Sequence, residues 1–163
     1  MRAANDRLAA LYRLHALSAT RLAYTLTGDR DVAEDLVHEA FVRMGGKVLT
    51  LRDLDHARAY LFRTVINLSR GRGRKLQRES RAILQLQPPP PPEPVPTLAD
   101  DVIWSSLLDL PVRQRAALFF RYYEELTERE AADAMNCSLS ALKSLVNRGL
   151  RELRIRLKEA IDE

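Results

Sequence analysis

Near the end of the chain, hydroxyl, amide and basic side chains recur at helical spacing. The row consists of Ser140, Lys143, Ser144, Asn147 and Arg148, and Arg151, Arg154, Arg156 and Lys158 extend its positive charge. Side chains three and four residues apart share one face of a helix. Such a face can donate hydrogen bonds to DNA phosphates and to base edges in the major groove. The chemistry that this row indicates is recognition of DNA.

The residues before and within this row predict a helix-turn-helix. Residues 127–130 (TERE) have the Thr-x-x-Glu form of a capping box, which predicts a short first helix. Asn136 lies where a left-handed residue would end that helix, and Ser138 can cap the next one. In this motif the second helix enters the major groove. The alternative is a plain αα-hairpin with a solvated basic face, but the combination of box, turn and polar face favours DNA binding.

A second basic row lies in the first half of the chain. It consists of Arg58, Arg63, Asn67, Arg70, Arg72, Arg74, Lys75, Arg78 and Arg81. Such a row neutralises phosphates and gives sequence-independent, salt-sensitive affinity for nucleic acid. Asn67 interrupts an apolar run, and an Asn can read a base edge or bind an unstacked base. A helix-internal Asn that bonds locally or to water is the alternative, which the residues alone favour slightly.

Composition and charge agree with a helical protein that binds a polyanion. The 163 residues are 46% hydrophobic but only 6% aromatic, and only 6 are Gly. Cores of Leu, Val, Ile and Ala suit helices, and scarce Gly argues against a turn-rich β fold. Residues 1–84 contain 16 Lys and Arg against 9 Asp and Glu, whereas residues 85–163 contain 10 against 13. A basic half suits DNA, although charge alone suits a solvated surface equally well.

Apolar spacing predicts several helices in the first half. One long helix is predicted over residues 8–26, and the turn residues 27–29 (TGD) end it. A second helix is predicted to open at Asp31, with Glu34 three residues on as in a capping box, and to stop at Gly45-Gly46. A loop and a third helix follow, and the third helix carries the basic row.

The chain divides at a proline-rich segment. Pro88 to Pro92 are consecutive prolines, and Pro94 and Pro96 follow them. Such a segment is excluded from helix and sheet interiors and favours polyproline II, which rises about 3.1 Å per residue. Beyond it, Asp100 or Asp101 is predicted to cap a further helix. The predicted fold is all-α: two small helical domains, residues 1–84 and 99–163, joined by a Pro-rich extended linker at residues 85–98, with the helix-turn-helix in the second domain.

The other residues offer no site for catalysis, a metal or a cofactor. Cys137 is the single cysteine, and His15, His38 and His56 lie far apart without ligand spacing. No intrachain disulfide and no thiolate zinc cluster can therefore form. The sequence has neither a long apolar run nor the apolar core of a signal peptide at its N-terminus. We expect a cytoplasmic protein that is not an enzyme, and we expect Cys137 to pack at the turn of the motif rather than to sense redox state.

Three blocks of sequence resemble the extracytoplasmic-function (group IV) sigma factors of the sigma-70 family along nearly the whole chain. Residues 26–41 (LTGDRDVAEDLVHEAF) are similar to the family's polymerase-binding segment, and residues 58–68 (RAYLFRTVINL) to its minus-10 recognition helix. Residues 110–144, from LPVRQR through RYYE and LT to LKS, are similar to its minus-35-reading domain. The resemblance implies a sigma factor that binds core RNA polymerase and promoter DNA. It also implies a chain that is monomeric when free, is not inserted in a membrane, and is often held by an anti-sigma protein.

The resemblance also assigns residues to surfaces. For polymerase binding it implies Asp31, Glu34, Asp35, Leu36, Glu39 and Phe41, although Phe41 suits a core position equally well. For minus-10 DNA it implies Arg63, Asn67, Arg70, Arg72, Arg74 and Lys75. Asn67, with Arg63 and the loop near Leu54 to His56, is similar to the region that captures a flipped base of the minus-10 element. For minus-35 DNA it implies Ser138, Ser140, Lys143, Ser144, Asn147, Arg148 and Arg151.

Two positions depart from many relatives, which have Arg where this chain has Leu145 and Ala where it has Gly149. Both bear on minus-35 reading, because an Arg can contact phosphate or guanine and Gly costs a helix about 1 kcal/mol relative to Ala.

Two other functions stay open at this point. One is a conventional helix-turn-helix regulator, which binds DNA alone and usually as a dimer on symmetric sites. The other is a polymerase-binding adaptor with weak DNA reading.

Overall fold

The computed structural model describes residues 1–83 and 98–163, with side chains for residues 1–71 and 102–163. These residues are helical without any strand, which confirms the predicted all-α class. The α-helices are α1 (Arg2–Thr27), α2 (Arg30–Gly45), α3 (Leu54–Ile83), α4 (Leu98–Leu108), α5 (Val112–Leu118), α6 (Glu128–Ala134) and α7 (Leu139–Asp162). The predicted extended linker lies outside the described residues, except that Leu98 already begins α4. None of the described helices is both long enough and apolar enough to cross a membrane.

Helices α1, α2 and α3 pack together around a core of aliphatic and aromatic side chains. The large side chains that are fully buried there are Leu11, Leu22, Leu36, Met44, Leu61, Phe62 and Val65. Helix α1 ends at Gly28, where φ is 71°, a left-handed conformation that glycine adopts without a steric penalty. This turn lets α2 run back along α1 and places the charged side of α2 on the surface.

Helix α2 begins at Arg30 and is capped by Asp29. Asp29 has an extended backbone, and its Oδ1 accepts a hydrogen bond from Val32 N at 3.1 Å. The predicted capping box of Asp31 and Glu34 is therefore wrong, because the chain enters the helix directly after the Gly28 turn. Asp31 lies instead in the first turn of α2, where a negative charge is stabilised by the helix dipole.

Helices α4 to α7 form the second half, which has an irregular turn between α5 and α6. Helix α5 runs directly into a π-helical turn, Phe119–Tyr123, in which Glu124 N donates to Phe119 O at 3.0 Å. Glu125 then adopts a left-handed φ of 54°. The predicted caps Asp100 and Asp101 are wrong, because α4 begins earlier, at Leu98, and both residues lie inside it.

The local geometry of the predicted helix-turn-helix is confirmed. Thr127 Oγ1 accepts from Glu130 N at 3.1 Å, and Glu130 Oε1 accepts from Thr127 N at 3.3 Å, so the capping box of α6 is closed. Asn136 follows α6 with a left-handed φ of 51°. Ser138 Oγ accepts from Ala141 N at 3.1 Å and caps α7. The single cysteine follows Asn136 and packs, half-buried, against the core.

The two halves also pack against each other. The rings of Phe62 in α3 and Phe120 after α5 have centroids 5.1 Å apart, and Tyr24 stacks on Trp104 at 4.9 Å. Arg115 of α5 donates to two carbonyl oxygens in the last turn of α1 at 3.2 and 2.9 Å. A cation at a helix C-terminus satisfies carbonyls that have no partner within the helix. These contacts form an apolar centre with a polar edge between the halves.

Candidate nucleic-acid interface

Helix α7 buries one side and exposes the other. Leu142 and Gly149 are buried on its inner side, and Leu145 and Val146 pack against the core while partly buried. Of the residues predicted to contact minus-35 DNA, Ser144 is half-buried and the others are exposed. The exposed ones are Ser138, Ser140, Lys143, Asn147, Arg148 and Arg151. The cap of α7 and its first three turns therefore present one polar and basic face to the solvent.

The two positions that depart from relatives both lie on the inner side of α7. A Cβ atom on Gly149 would lie only 3.2 Å from Cγ and Cδ1 of Leu118, so α7 approaches α5 closely at this point. Leu145 packs against the core. Neither position belongs to the exposed face. Leu145 and Gly149 therefore affect how α7 packs on the core, and they leave the residues of its polar side unchanged.

Lys143 lies at the centre of the exposed face and is paired within the motif. Its Nζ lies 3.6 Å from Glu128 Oε2, and the side chains of both residues are about half exposed (56% and 43%). Exposed ion pairs of this kind contribute little to stability. The lysine can therefore exchange this carboxylate for a phosphate or a base edge without disturbing the fold.

Helix α3 aligns three of the predicted minus-10 residues along one side. Arg63, Asn67 and Arg70 follow one another at intervals of four and three residues. Asn67 and Arg70 are exposed, and none of the described residues hydrogen-bonds the Asn67 amide. Arg72, Arg74 and Lys75 lie on the continuation of α3, and their side chains are outside the described part of the structure.

The segment near Leu54 to His56 does not lie beside Asn67. It forms the first turn of α3, which Asp53 caps by accepting from His56 N at 2.8 Å. Eleven residues separate His56 from Asn67 on one continuous helix, which corresponds to about 16 Å at about 1.5 Å per residue. The loop expected near Leu54 to His56 is therefore the first turn of a helix, and its part in capturing a flipped base stays a prediction.

Arg63 is already engaged by the second half of the chain. Its Nε donates to the backbone carbonyl oxygen of Asp133 at 2.7 Å, and its Nη2 donates to Asp133 Oδ1 at 2.6 Å. Five residues earlier on α3, Arg58 Nη2 donates to Glu130 Oε2 at 2.7 Å. Arg58 and Arg63 of α3 thus pair with Glu130 and Asp133 of α6. No local sequence pattern predicts this pairing.

Helix α2 divides its predicted polymerase-binding residues between surface and core. Asp31, Glu34 and Asp35 are exposed and Glu39 is half-buried, whereas Leu36 is 0% and Phe41 6% exposed. Leu36 and Phe41 therefore hold α2 in the bundle, and the acidic residues form its outer face. Ion pairs within the helix, such as Arg43 with Glu39 at 3.0 Å, moderate the charge of that face.

An apolar groove beside the acidic face was missed by the sequence analysis. It lies between α1 and α2, has a volume of about 530 Å³, and is lined in part by Leu8, Tyr12, Phe41 and Val42. Tyr12 and Val42 are 55% and 64% exposed. Exposed apolar side chains next to a charged rim are typical of protein–protein contact surfaces. The available signal was Tyr12, an aromatic residue at helical spacing from Leu8 that the structure leaves exposed.

Two ionisable groups near the contact of the halves have shifted pKa values. The pKa of Glu130 lies below its ordinary value, first because the Thr127 hydroxyl bonds its carboxylate and also because Arg58 does. Burial lowers the pKa of Arg115, and Asp109 partly offsets this. The hydrogen bonds of Glu130 thus favour the charged form that α6 presents to α3.

Comparison with known proteins identifies both halves. The family model of sigma-70 region 2 matches residues 11–79, and the model of sigma-70 region 4 matches residues 101–153. The RNA polymerase sigma-E factor of Streptomyces coelicolor is 31% identical over 137 residues, which cover 82% of this chain and 76% of that protein. The ECF RNA polymerase sigma factor SigM of Bacillus subtilis is 25% identical over 160 residues, 94% of this chain and 96% of SigM.

Solved structures share the fold. The sigma factor RpoE in complex with the anti-sigma factor NepR, from Bartonella quintana, matches with a TM-score of 0.72 and 23% identity, over 90% of this chain and 94% of that chain. A complex of the anti-anti-sigma factor PhyR with NepR from the same organism matches at a TM-score of 0.55 and 17% identity, over 87% of this chain and 48% of that chain. At these identities the likeness extends to the fold.

Proposed function

We propose a division of labour for this chain, which belongs to the extracytoplasmic-function (ECF) group of the sigma-70 family. As an RNA polymerase sigma factor it serves transcription initiation and has no catalytic activity of its own. Residues 1–84 bind core polymerase and the minus-10 element, and residues 99–163 read the minus-35 element. Residues 85–97 of the predicted linker join them as an extended spacer, since consecutive prolines resist compaction, and Leu98 already begins α4. The chain acts where polymerase lies, in the cytoplasm.

Minus-35 reading by α7 rests on one observation, the orientation of this helix. Its buried side is held by Leu142 and by the close approach of Gly149 to Leu118, so its polar side has a fixed direction. Lys143 and Asn147 stand on that side, one turn apart, with Arg148 and Arg151 beyond them. Lys can bind guanine and Asn adenine in the major groove, while further arginines hold the phosphates.

Minus-10 opening is assigned to the exposed side of α3. Asn67 is exposed and its amide has no hydrogen-bond partner among the described residues, so it is available to an unpaired base. Extruding a base costs a few kcal/mol, and contacts between the base and its site must offset this cost. Arg63 and Arg70 flank Asn67 and supply positive charge for the strand backbone.

Core polymerase is assigned to the outer face of α2 and the groove beside it. Asp31, Glu34 and Asp35 give this face a negative charge that suits a basic partner, and Tyr12 and Val42 add exposed apolar area. Leu36 and Phe41 contribute by fixing α2 in the bundle rather than by contact. Charge steers the encounter, and the apolar groove supplies the affinity.

An anti-sigma protein is a further proposed partner. A solved relative of the same fold, RpoE of Bartonella quintana, was crystallised with the anti-sigma factor NepR. The same acidic face and groove of α2 would serve such a partner, because a protein that covers them excludes polymerase. The chain is proposed to be monomeric when neither partner is bound.

Polymerase docking is tested by reversing one charge on α2. Asp31 is exposed, and Asp31→Lys should weaken binding of cognate core polymerase about tenfold, measured by titration of a fluorescently labelled chain. The matched control is Asp162→Lys at the exposed end of α7, which should bind like the wild type. Asp31 also stabilises α2 through the helix dipole, so its replacement could lower the stability of the chain. Thermal unfolding of both variants must therefore be recorded. Equal affinities of two folded variants would contradict the assignment.

A further inference from the structure

The first residue of α6 and the centre of the exposed α7 face meet at the surface. Glu128 Oε2 lies 3.6 Å from Lys143 Nζ, and the two side chains are 43% and 56% exposed. Among the described residues, Lys143 is the only cation that pairs with Glu128. A separation of 3.6 Å exceeds the range of a hydrogen bond. The three N–H donors of the ammonium group and the oxygens of the carboxylate therefore stay available to another molecule.

The backbone on both sides of this pair is held in place. Thr127 caps α6 and closes the capping box with Glu130, while Glu128, the first residue of α6, takes no part in the box. On α7, the neighbour of Lys143 is Leu142, which is fully buried. Glu128 and Lys143 thus extend from two fixed helices toward the same point on the polar face.

A cation beside a carboxylate is complementary to the edge of one base pair. In the major groove a G·C pair presents the O6 acceptor of guanine next to the N4 donor of cytosine. These two atoms hydrogen-bond to each other and therefore lie about 3 Å apart. The separation of Lys143 Nζ and Glu128 Oε2, 3.6 Å, is close to this distance. A lysine can donate to guanine O6 while a glutamate accepts from cytosine N4.

The order of the two charges distinguishes the orientation of a base pair. A C·G or an A·T pair reverses the order, so that an amino group faces the ammonium and a carbonyl oxygen faces the carboxylate. A T·A pair has the matching order of O4 and N6, but thymine carries a methyl group and lacks the second acceptor, N7, that guanine offers. The pair of charges therefore favours G·C over the other three base pairs.

The pair adds no net charge to the basic face. Lys143 alone would attract phosphates of any sequence, whereas a neighbouring carboxylate cancels most of that attraction. What remains is a contribution that depends on the pattern of donors and acceptors on the bases. Arg148 and Arg151, which are both exposed, remain available to hold the phosphates.

We propose that Glu128 is a specificity-determining residue, which reads one base pair of the minus-35 element together with Lys143. Lys143 donates to guanine O6, and Glu128 accepts from the N4 amino group of the paired cytosine. This inference rests on the proposed assignment of α7 to minus-35 DNA. It adds that the first helix of the helix-turn-helix also contributes to the choice of base.

The test uses holoenzyme assembled from cognate core polymerase and the full chain. A promoter fragment that the wild-type holoenzyme binds is randomised in its upstream element, and the bound fragments are sequenced. The exchange Glu128→Lys with Lys143→Glu keeps the net charge and should invert the preference at one position from G·C to C·G. Glu128→Ala alone should lower the preference for G·C over C·G at that position about tenfold. The other positions should keep their wild-type bases.

The matched control is Glu152→Ala on α7. The Glu152 side chain is 41% exposed and lies 3.1 Å from Arg156, so this variant also removes a carboxylate from an ion pair. It should keep the wild-type preference at every position. Thermal unfolding must be recorded, because a lysine at the start of α6 opposes the helix dipole. If the exchanged chain is unfolded, Glu128→Ala decides the question alone.

Two results are distinguishable as failures. A folded exchanged chain that keeps G·C, or a Glu128→Ala chain that loses preference at no position or equally at all positions, overturns the role of Glu128. Either result leaves α7 as the reader of the minus-35 element. A wild-type holoenzyme that selects no upstream bases overturns the assignment of α7, and this inference with it.

Discussion

The two helices that are assigned to DNA, α3 and α7, differ in how their side chains are presented. On α7 the predicted contact residues are exposed, except for half-buried Ser144, and Lys143 has one weak, exposed ion pair. On α3, Arg58 and Arg63 form short hydrogen bonds to acidic residues of α6. The face proposed for minus-35 DNA is therefore exposed in this structure, whereas two arginines on the helix proposed for minus-10 DNA are already hydrogen-bonded to α6.

The largest expected effect is a loss of stability, and it comes from Phe120, which packs between the two halves of the chain. Phe120 is fully buried and packs on Phe62 of α3, so Phe120→Ala should lower the free energy of unfolding by about 3–5 kcal/mol. Chemical denaturation of the full chain measures this. Tyr122, 63% exposed, is the control, and Tyr122→Ala should cost less than about 0.5 kcal/mol. Similar losses for the two variants would show that the two halves do not share a core.

The next effect separates base reading from phosphate binding on α7. Lys143→Ala should reduce discrimination between a matching and a mutated minus-35 element by about tenfold, within the range of about 1–3 kcal/mol for a good base contact. Lys158→Ala, about four turns further along, should weaken binding to both sequences equally and reduce the salt dependence. Binding of holoenzyme to paired promoters gives both numbers. Unchanged discrimination in Lys143→Ala would refute its place in the groove.

On α3, Asn67→Ala should weaken promoter opening more than polymerase binding. The side chain is exposed and its amide has no partner among the described residues, so its removal should leave the bundle and the α2 surface intact. Permanganate reactivity of unpaired thymines reports opening, and titration with core polymerase reports binding. Equal losses in the two assays would remove Asn67 from base capture.

The smallest effect compares a glycine on each helix. A Cβ atom at Gly71 of α3 would meet nothing within 4 Å, whereas at Gly149 of α7 it would lie 3.2 Å from Leu118. Gly71→Ala should therefore stabilise the chain by about 0.5–1 kcal/mol through helix propensity. Gly149→Ala should gain less or lose stability, because the buried Leu118 must move. An equal gain for both variants, measured by denaturation, would contradict the close approach of α7 and α5.

The difference between the helices also shows what the sequence could predict. The helix-turn-helix follows from local chemistry: the Thr127 box, the left-handed Asn136 and the Ser138 cap act within a few residues. The start of α2 was misplaced by two residues, because Asp29 and Asp31 are both suitable caps and the Gly28 turn decides between them. Local signals of this kind identify an element more reliably than its boundary.

Contacts between the halves could not be predicted in the same way. Arg63 and Asp133 are 70 residues apart, and nothing in the neighbourhood of either residue specifies the other. The burial of Phe41 and the exposure of Tyr12 likewise depend on how α1 and α2 pack, since both residues fit an apolar helix face. Helical periodicity places a residue on a face, but tertiary packing decides what that face meets.

Promoter-specific initiation by this chain is tested most directly by run-off transcription on a library of promoter fragments, using cognate core polymerase with and without this protein. We expect initiation from fragments that share a two-element sequence, and only when the protein is present. Changes at Lys143 should alter which upstream elements are used, and changes at Asn67 should reduce initiation from all of them. Absence of protein-dependent initiation, with a core enzyme that a control sigma factor activates and that binds this chain, would contradict the account.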